Sequence, residues 1–212
     1  MRASFIAAFC AVIFGGVLLA SCETMSAEEC ALADWRALGY SDAASSGATR
    51  FADRQESCND KGYRADFEAY QSGQREGLRA FCEPNHAFAF AMRGGSFSGR
   101  CAADQAEAFG FAFADGRRVY EAQSALRSAE SEMSSLRYRR DAIDRDIDAR
   151  EDGLRDATTD EERRRIRDDL RDLRRERHDV LDDMRVAQDA VALRTDMVDR
   201  LRYDIGARWG AW

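Results

Sequence analysis

Two histidines are the residues of this 212-residue chain best suited to general acid–base chemistry. Nucleophilic catalysis needs a nucleophile within hydrogen-bond reach of a base. His178 stands in a densely charged stretch, where we expect a solvated or ion-paired side chain, and His86 follows Pro84 and Asn85 in an expected loop. HExxH, GxSxG and P-loop patterns are absent. We therefore predict that the protein is not an enzyme and uses no cofactor.

Two aspartates stand among aromatic residues and are better candidates for a specific role. Asp34 precedes Trp35, and Asp42 follows Tyr40 by two positions. Helix capping, or pairing with Arg36 or Arg50, is the simplest interpretation. Paired carboxylates such as Asp182-Asp183 point to different faces of a helix and are poor acid–base partners.

Three aromatic residues, Trp35, Tyr40 and Tyr70, could instead build a groove for a small ligand, a carbohydrate or a peptide, with Asp34 as a further contact. An exposed cluster of these rings would favour binding. Buried rings would favour a purely structural domain with close helix packing.

The N-terminal segment resembles a secretory signal. Arg2 precedes an apolar stretch over residues 5–20, which is shorter than the roughly 20 apolar residues of a comfortable membrane-spanning helix. The stretch ends in Leu19-Ala20-Ser21-Cys22, which resembles the lipobox of bacterial lipoproteins. The resemblance implies cleavage before Cys22 and lipid on its sulfur, and Glu23 favours the outer over the inner membrane. An ordinary signal peptide ending near a cysteine is the alternative.

Export determines how the remaining cysteines are interpreted, because an even number in an oxidising compartment predicts disulfides. Four cysteines allow three pairings. A zinc site is the rival interpretation. However, no two of these cysteines are close together in the sequence, as the common zinc sites require, so we expect no metal. The four are Cys30, Cys58, Cys82 and Cys101.

The charge balance argues against nucleic acid as a partner. The formal net charge is -7, and loss of Arg2 with the signal segment makes it -8. Charge is also unevenly distributed, since 41 of the 80 residues between 121 and 200 are charged and 14 of the 21 aromatics lie between 30 and 120. The first region can build a small core, whereas the second can bury only a narrow stripe.

That stripe repeats with alternating steps of three and four, which predicts a coiled coil. It is interrupted at Gly153 and the Ala157–Asp160 run, and Thr159 with Glu162 predicts a new helix start. We expect an antiparallel hairpin, in which Ile147 faces Leu170; one long helix that dimerises with a second chain is the alternative. The stripe comprises Val119, Ala122, Leu126, Ala129, Met133, Leu136, Ile143, Ile147 and Leu154, then Ile166, Leu170, Leu173, Val180, Met184, Ala187, Val191, Val198, Leu201 and Ile205.

Two arginines, Arg140 and Arg177, fall opposite each other in the predicted seam. Facing cations would cost stability unless acids such as Asp141, Asp144 and Glu176 neutralise them. They could also specify the register, as polar seam residues do.

A string of cysteine, glycine and aromatic residues runs through the first region. It comprises Cys30, Asp34-Trp35, Gly39-Tyr40, Tyr70, Gly73, Gly77-Leu78, Cys82, Gly94, Phe97, Gly99 and Cys101. Over about residues 22–120 the chain resembles the bacterial envelope lipoproteins of domain of unknown function 2799, with departures at Ala43, Ala91 and Phe97. That family has no assigned activity, so the resemblance implies an envelope location and an architecture but no mechanism.

Within this region an aromatic-x-x-glycine unit occurs twice, as Tyr70 with Gly73 and as Phe113 with Gly116, which suggests an internal duplication of helices. If Cys30 begins one helix of a short hairpin and Cys58 ends the next, these two meet. Cys82 would end a helix and Cys101 begin its successor. We therefore expect the pairs Cys30–Cys58 and Cys82–Cys101.

Together these features predict an all-α protein with a small disulfide-stapled helical domain followed by a long antiparallel coiled-coil hairpin. We expect a non-enzymatic envelope lipoprotein that faces the periplasm and presents the hairpin to another envelope protein or to peptidoglycan; a second copy could also pair with it. The alternative is a periplasmic binding module that uses the aromatic domain. The predicted parts are a signal peptide (1–21), a lipidated tether (22–29), the stapled domain (30–118), the hairpin (119–205) and a C-terminal tail (206–212), frayed around its tryptophans.

Overall fold

The computed structural model describes residues 25–99, 101–210 and 212. These residues form helices and no strand, which confirms the predicted all-α fold. The helices are α1 (Ala27–Ala31), α2 (Trp35–Ser46), α3 (Phe51–Asn59), α4 (Phe67–Phe81), α5 (Pro84–Met92), α6 (Ala106–Asp156) and α7 (Asp160–Trp209). The predicted signal peptide and Cys22 lie outside the described residues.

Side-chain caps fix where α2 and α4 begin. The carboxylates of Asp34 and Asp66 each accept a hydrogen bond from a backbone N–H three residues later, at 3.0 and 2.9 Å. Each satisfies one N–H group that the first turn of α2 or α4 would leave unpaired. Pro84 opens α5, at a position where no N–H is needed.

Helices α2 and α4 pack with their backbones in direct contact. A Cβ atom on Gly73 would collide with the carbonyl oxygen of Arg36. One on Gly77 would collide with the carbonyl oxygen of Tyr40. Because the contacts advance by four residues along both helices, α2 and α4 run parallel. Glycine is required here because any side chain would push the two helices apart.

A second parallel pair is formed by α5 and the first turns of α6. A Cβ atom on Gly116 would collide with the carbonyl oxygen of Phe88. Farther along both helices, the ring of Tyr120 fills the space beside Gly94. Each pair thus carries the glycine of an aromatic-x-x-glycine unit on its second helix, in agreement with the suggested duplication.

Two disulfides staple this domain with the predicted pairing. Cys30 is bonded to Cys58, with Cα atoms 5.5 Å apart, and joins α1 to the end of α3. Cys82 is bonded to Cys101, with Cα atoms 5.8 Å apart, and joins the end of α4 to the loop between α5 and α6. Cys58 and Cys82 are fully buried, so each staple also belongs to an apolar cluster.

The predicted boundary at residues 118 and 119 falls inside a helix. Helix α6 runs unbroken from Ala106 to Asp156, so its first turns pack on α5 while the rest extends away as one side of the hairpin. We call the hairpin from Val119 to Ile205 the arm, and residues 25–118 the stapled domain. The arm is therefore a continuation of the domain's own helix.

The C-terminal end does not fray as expected. Helix α7 continues to Trp209, whose ring stacks on Phe88 with centroids 5.5 Å apart. Ile205 is fully buried in the same cluster, and Trp212 packs against it. The prediction of a tail from 206 was wrong because the buried carboxylate of Asp115 and the ring of Phe88 supply partners for the end of α7.

The arm turns at residues 157–159, and the hydroxyl of Thr159 accepts a hydrogen bond from Glu162 N at 3.2 Å, which confirms the predicted helix start. Ion pairs then link the two helices at levels that fit the predicted antiparallel register. They join Arg150 to Asp169 (3.5 Å), Glu151 to Arg174 (2.8 Å) and Arg139 to Glu176 (2.7 Å).

The two seam arginines are neutralised by the acids expected to do so. Arg140 binds Asp141 and lies 3.9 Å from Asp144, and Arg177 binds Asp144 from the other helix. One carboxylate therefore bridges the two cations. Apolar side chains buried along the seam include Ala122, Ala129, Met133, Ile143, Leu170, Val180, Ala187 and Val198.

None of the helices in the described part of the chain is long and apolar enough to span a bilayer.

Candidate functional site

An open groove of about 640 Å³ lies beside Met25, the first described residue. Its apolar lining comes from α1, α2 and the turn that joins them, and Leu32 at its edge is 79% exposed. Carboxylates also border it, so the groove combines an apolar floor with an acidic rim. The lining residues are Met25, Ser26, Glu28, Glu29, Leu32, Ala33, Asp34, Ala37, Leu38, Ser41 and Arg54.

The predicted aromatic groove does not form. Trp35 is 7% exposed and Tyr70 is fully buried, and both belong to the cluster around Cys58 and Met25. Only Tyr40 is substantially exposed, at 45%. The rings are buried because α2 and α4 approach so closely that large side chains beside their contact must point into the core.

Asp34 has the simpler of its two predicted roles. It caps α2 through Ala37 N, and it also borders the groove beside Met25.

Asp42 lies at the centre of a buried polar cluster. The guanidinium of Arg54 donates two hydrogen bonds to its carboxylate, at 2.6 and 2.8 Å, and the Tyr70 hydroxyl donates a third at 2.7 Å. Tyr70 in turn accepts a hydrogen bond from Arg50 N at 2.9 Å. The network ties α2, α3 and α4 together, and every polar atom named here has a partner.

The pKa values of this cluster follow from burial and charge. Burial alone would raise the pKa of Asp42, but the hydrogen bonds from Arg54 and Tyr70 and the charge of Arg54 lower it below its ordinary value. Burial and the bond to Asp42 raise the pKa of Tyr70. Asp42 is thus a stable anion with its lone pairs engaged, as befits a structural group.

The partner of Asp42 is Arg54, and not Arg36 or Arg50 as predicted. Arg36 binds Glu76 on α4, and Arg50 lies 4.0 Å from Asp53. Arg54 lies on α3, and its guanidinium reaches Asp42 on α2 because α3 folds back over the domain, where the Cys30–Cys58 disulfide ties the end of α3 to α1.

The two histidines lie far from any such network. His86 packs against Phe81, with ring centroids 5.0 Å apart, and burial lowers the pKa of His86. His178 is exposed on α7 and lies 3.8 Å from Asp182. Within the described residues there is no group of three or more His, Cys, Asp or Glu side chains that could hold a metal ion.

A second buried carboxylate, Asp115, holds the base of the arm. Its side chain accepts hydrogen bonds from the guanidinium of Arg208 at 2.9 Å and the indole N–H of Trp209 at 3.0 Å. Arg118 lies 3.4 Å from its other oxygen. The last turn of α7 is thereby fastened to α6.

The arm also carries an exposed apolar stripe that the sequence analysis missed. Val186, Leu193 and Met197 of α7 are 71%, 60% and 42% exposed. Their spacing of i, i+7 and i+11 places them on one face of the helix, apart from the seam. Their helical spacing is visible in the sequence as a second stripe, separate from the seam. We call these three residues the outer stripe.

Comparison with family models places part of the chain in a known family. Residues 34–118 match the model of a family described as Protein of unknown function (DUF2799), which confirms the predicted resemblance over most of the stapled domain. Neither a curated protein nor a solved structure matches the chain.

Proposed function

We propose that this chain is a non-enzymatic lipoprotein of the bacterial cell envelope, anchored by lipid on Cys22, whose arm presents a binding face to a partner protein or to the cell wall. The observation that carries the proposal is the outer stripe. Three large apolar side chains stay in water on one face of α7, in an arm whose surface is mostly charged; two other exposed aromatic residues, Tyr138 on α6 and Tyr203 on α7, lie off this face. Exposed apolar side chains grouped on one face are typical of interaction surfaces.

The way in which the arm is attached to the stapled domain supports a role in presenting a binding face. Helix α6 passes from the domain into the arm without a break, and Asp115 fastens the returning end of α7. At about 1.5 Å per residue, each helix beyond the base is on the order of 55 Å long. A stiff arm of this length can hold a binding face at a fixed distance from the anchor.

The anchor rests on the lipobox resemblance at Leu19-Ala20-Ser21-Cys22. Several acyl chains on one residue would give lasting attachment to a bilayer, whereas a single chain would not. Because glutamate rather than aspartate follows Cys22, we propose that the protein resides in the outer membrane and faces the periplasm. The disulfides are in keeping with an oxidising compartment.

The alternative, a binding module that uses the aromatic domain, has less support. Trp35 and Tyr70, which would have lined its groove, are buried. The groove beside Met25 could admit a small ligand, but its lining lacks aromatic rings.

Photocrosslinking in cells that produce the full-length protein tests the proposal. A photoreactive residue replaces Leu193, in the outer stripe, and in a matched variant it replaces Thr195, which is also exposed but points to a different face of α7. We expect one envelope protein or peptidoglycan fragment to be captured from position 193 and not from position 195.

Equal capture from both positions would contradict a role for the outer stripe. Capture of a second copy of the chain alone would contradict a separate partner and make the arm an oligomerisation device. A third variant, Leu193→Glu with the crosslinker at position 197, should lose the captured product while keeping its helix content, because the site is on the surface.

A further inference from the structure

The chain between the proposed lipid anchor and the folded domain is very short. Only Glu23 and Thr24 separate Cys22 from Met25. An extended chain spans at most about 3.6 Å per residue, so the Cα atoms of Cys22 and Met25 are within roughly 11 Å of each other. The described fold therefore begins within a short reach of the proposed lipid anchor.

Met25 is firmly held by the domain. Its backbone N–H donates to the Ser57 hydroxyl at 3.3 Å, and its carbonyl oxygen accepts from that hydroxyl at 2.9 Å. Its side chain is 4% exposed, next to the Cys30–Cys58 disulfide. A fixed residue so near the anchor leaves the domain little freedom to leave the membrane surface.

The surface of the domain next to Met25 includes exposed apolar side chains. Leu32, in the turn between α1 and α2, is the most exposed large apolar side chain of the stapled domain among the described residues. It borders the groove together with Ala33 and Leu38. Exposed apolar surface next to a lipid anchor gains free energy when it enters the interfacial region of a bilayer.

We propose that this edge of the stapled domain, formed by α1 and the turn that carries Leu32, docks on the bilayer that holds the lipid of Cys22. The inference rests on the proposed lipid anchor. It fixes the orientation of the domain: the base of the arm lies at the other end of α4, about 16 Å along the helix from Tyr70 to Phe81. The arm therefore leaves the domain at a distance from the docked edge.

The charges around this edge favour one class of lipid. Glu28, Glu29 and Asp34 border the groove, and the hydrogen bonds from Ser26 lower the pKa of Glu29, so that it stays ionised. Arg54, the cation in the lining, is paired with Asp42. Acidic side chains are repelled by anionic headgroups, so the bilayer on which this edge docks should have zwitterionic headgroups.

The test uses the lipidated full-length protein in phosphatidylcholine vesicles. Leu32→Cys carries a polarity-sensitive fluorophore, and Phe111→Cys, exposed near the base of the arm, is the matched control. Both native disulfides stay intact. We expect a blue-shifted emission and a severalfold lower accessibility to an aqueous quencher at position 32 than at position 111.

A linker variant separates docking from anchoring. Insertion of about ten glycine and serine residues between Thr24 and Met25 adds an r.m.s. span of roughly 17 Å. The variant should still sediment with the vesicles, while the label at position 32 regains its accessibility. Vesicles with a large anionic fraction should weaken the shift at low salt.

Two outcomes overturn the inference and can be told apart. If the protein sediments with the vesicles but both labels are equally accessible to water, docking is contradicted and the anchor stands. If the protein does not sediment, the anchor fails, and docking fails with it.

Discussion

The stapled domain and the arm are both helical, yet different interactions hold their helices together. In the domain, glycines let α2 and α4 touch backbone to backbone, and disulfides and a buried Asp42–Arg54–Tyr70 network fix the contacts. In the arm, a narrow apolar seam is flanked by exposed ion pairs such as Glu151–Arg174. The stability of the stapled domain therefore depends on a few residues, whereas the stability of the arm is spread over many.

This difference matters for function. A domain with a few indispensable contacts can be small and rigid. An arm with many weak contacts tolerates substitutions on its surface, so its outer face is free to vary to suit the partner that we propose. Substitutions in the domain should therefore change stability more than comparable substitutions in the arm.

The largest effect is expected for Asp42→Ala in the domain. The substitution leaves the Arg54 guanidinium buried without its counter-charge, because the side chain of Arg54 is only 13% exposed. Breaking such a pair costs about 3–5 kcal/mol, to be measured by denaturant unfolding. Asp53→Ala, on the exposed face of α3, is the control and should change stability by less than about 0.5 kcal/mol. Similar values for the two variants would contradict the dependence of the domain's stability on a few residues.

The same carboxylate predicts a pH dependence. Because the folded pKa of Asp42 lies below its ordinary value of about 3.9, its contribution is present above that value and is lost as the pH falls through the folded pKa. The unfolding free energy should therefore fall in acid below about pH 5, and Asp42→Asn should flatten this fall. An unchanged acid profile in Asp42→Asn would remove Asp42 as the cause.

Removal of one staple comes next. Cys30→Ala/Cys58→Ala should lower the unfolding free energy by about 2–4 kcal/mol. Because this disulfide lies in the cluster remote from the base of the arm, the helix signal of the arm should persist at temperatures that melt the domain. Simultaneous loss of near-UV and far-UV circular dichroism would mean that domain and arm unfold as one unit.

Two glycines of the stapled domain test whether the close contact between α2 and α4 requires glycine. Gly73→Ala places a methyl group against the Arg36 carbonyl oxygen and should cost about 1–3 kcal/mol by forcing α2 and α4 apart. Gly110→Ala, where space is open, should instead stabilise by about 0.5–1 kcal/mol through helix propensity. Thermal unfolding of both variants would reveal the opposite signs; equal signs would contradict the close approach.

The smallest effect is expected in the arm. Glu151→Ala removes an exposed cross-arm ion pair and should cost no more than about 1 kcal/mol at low salt, and less at high salt. Chemical unfolding at two ionic strengths measures it. A loss as large as that of Asp42→Ala would show that the arm also depends on single contacts.

What the sequence could predict depends on how local each signal was. The seam repeats every few residues, so the hairpin, its turn and the neutralisation of Arg140 and Arg177 by Asp144 could be predicted from spacing alone. The disulfide pairing was predicted correctly from which helix ends should meet, although one more helix than expected, α2 or α5, lies between the cysteines of each pair.

Long-range contacts could not be predicted in this way. The partner of Asp42 depends on how α3 folds back, and several arginines lie at similar distances along the chain. The docking of α7 on the domain joins Asp115 to Arg208, residues that are 93 positions apart. No local pattern in the sequence marks these two residues as partners. The packing of the C-terminal end of α7 on the stapled domain could therefore not be predicted.

The proposed lipid anchor on Cys22 can be tested by intact-mass measurement of the protein extracted from cell membranes. We expect a chain that begins at Cys22 and carries the added mass of a diacylglyceryl group and further acyl groups, and we expect Cys22→Ser to move the protein to the soluble fraction. A chain of native mass that begins at another residue, or that is soluble with an unmodified Cys22, would rule the anchor out.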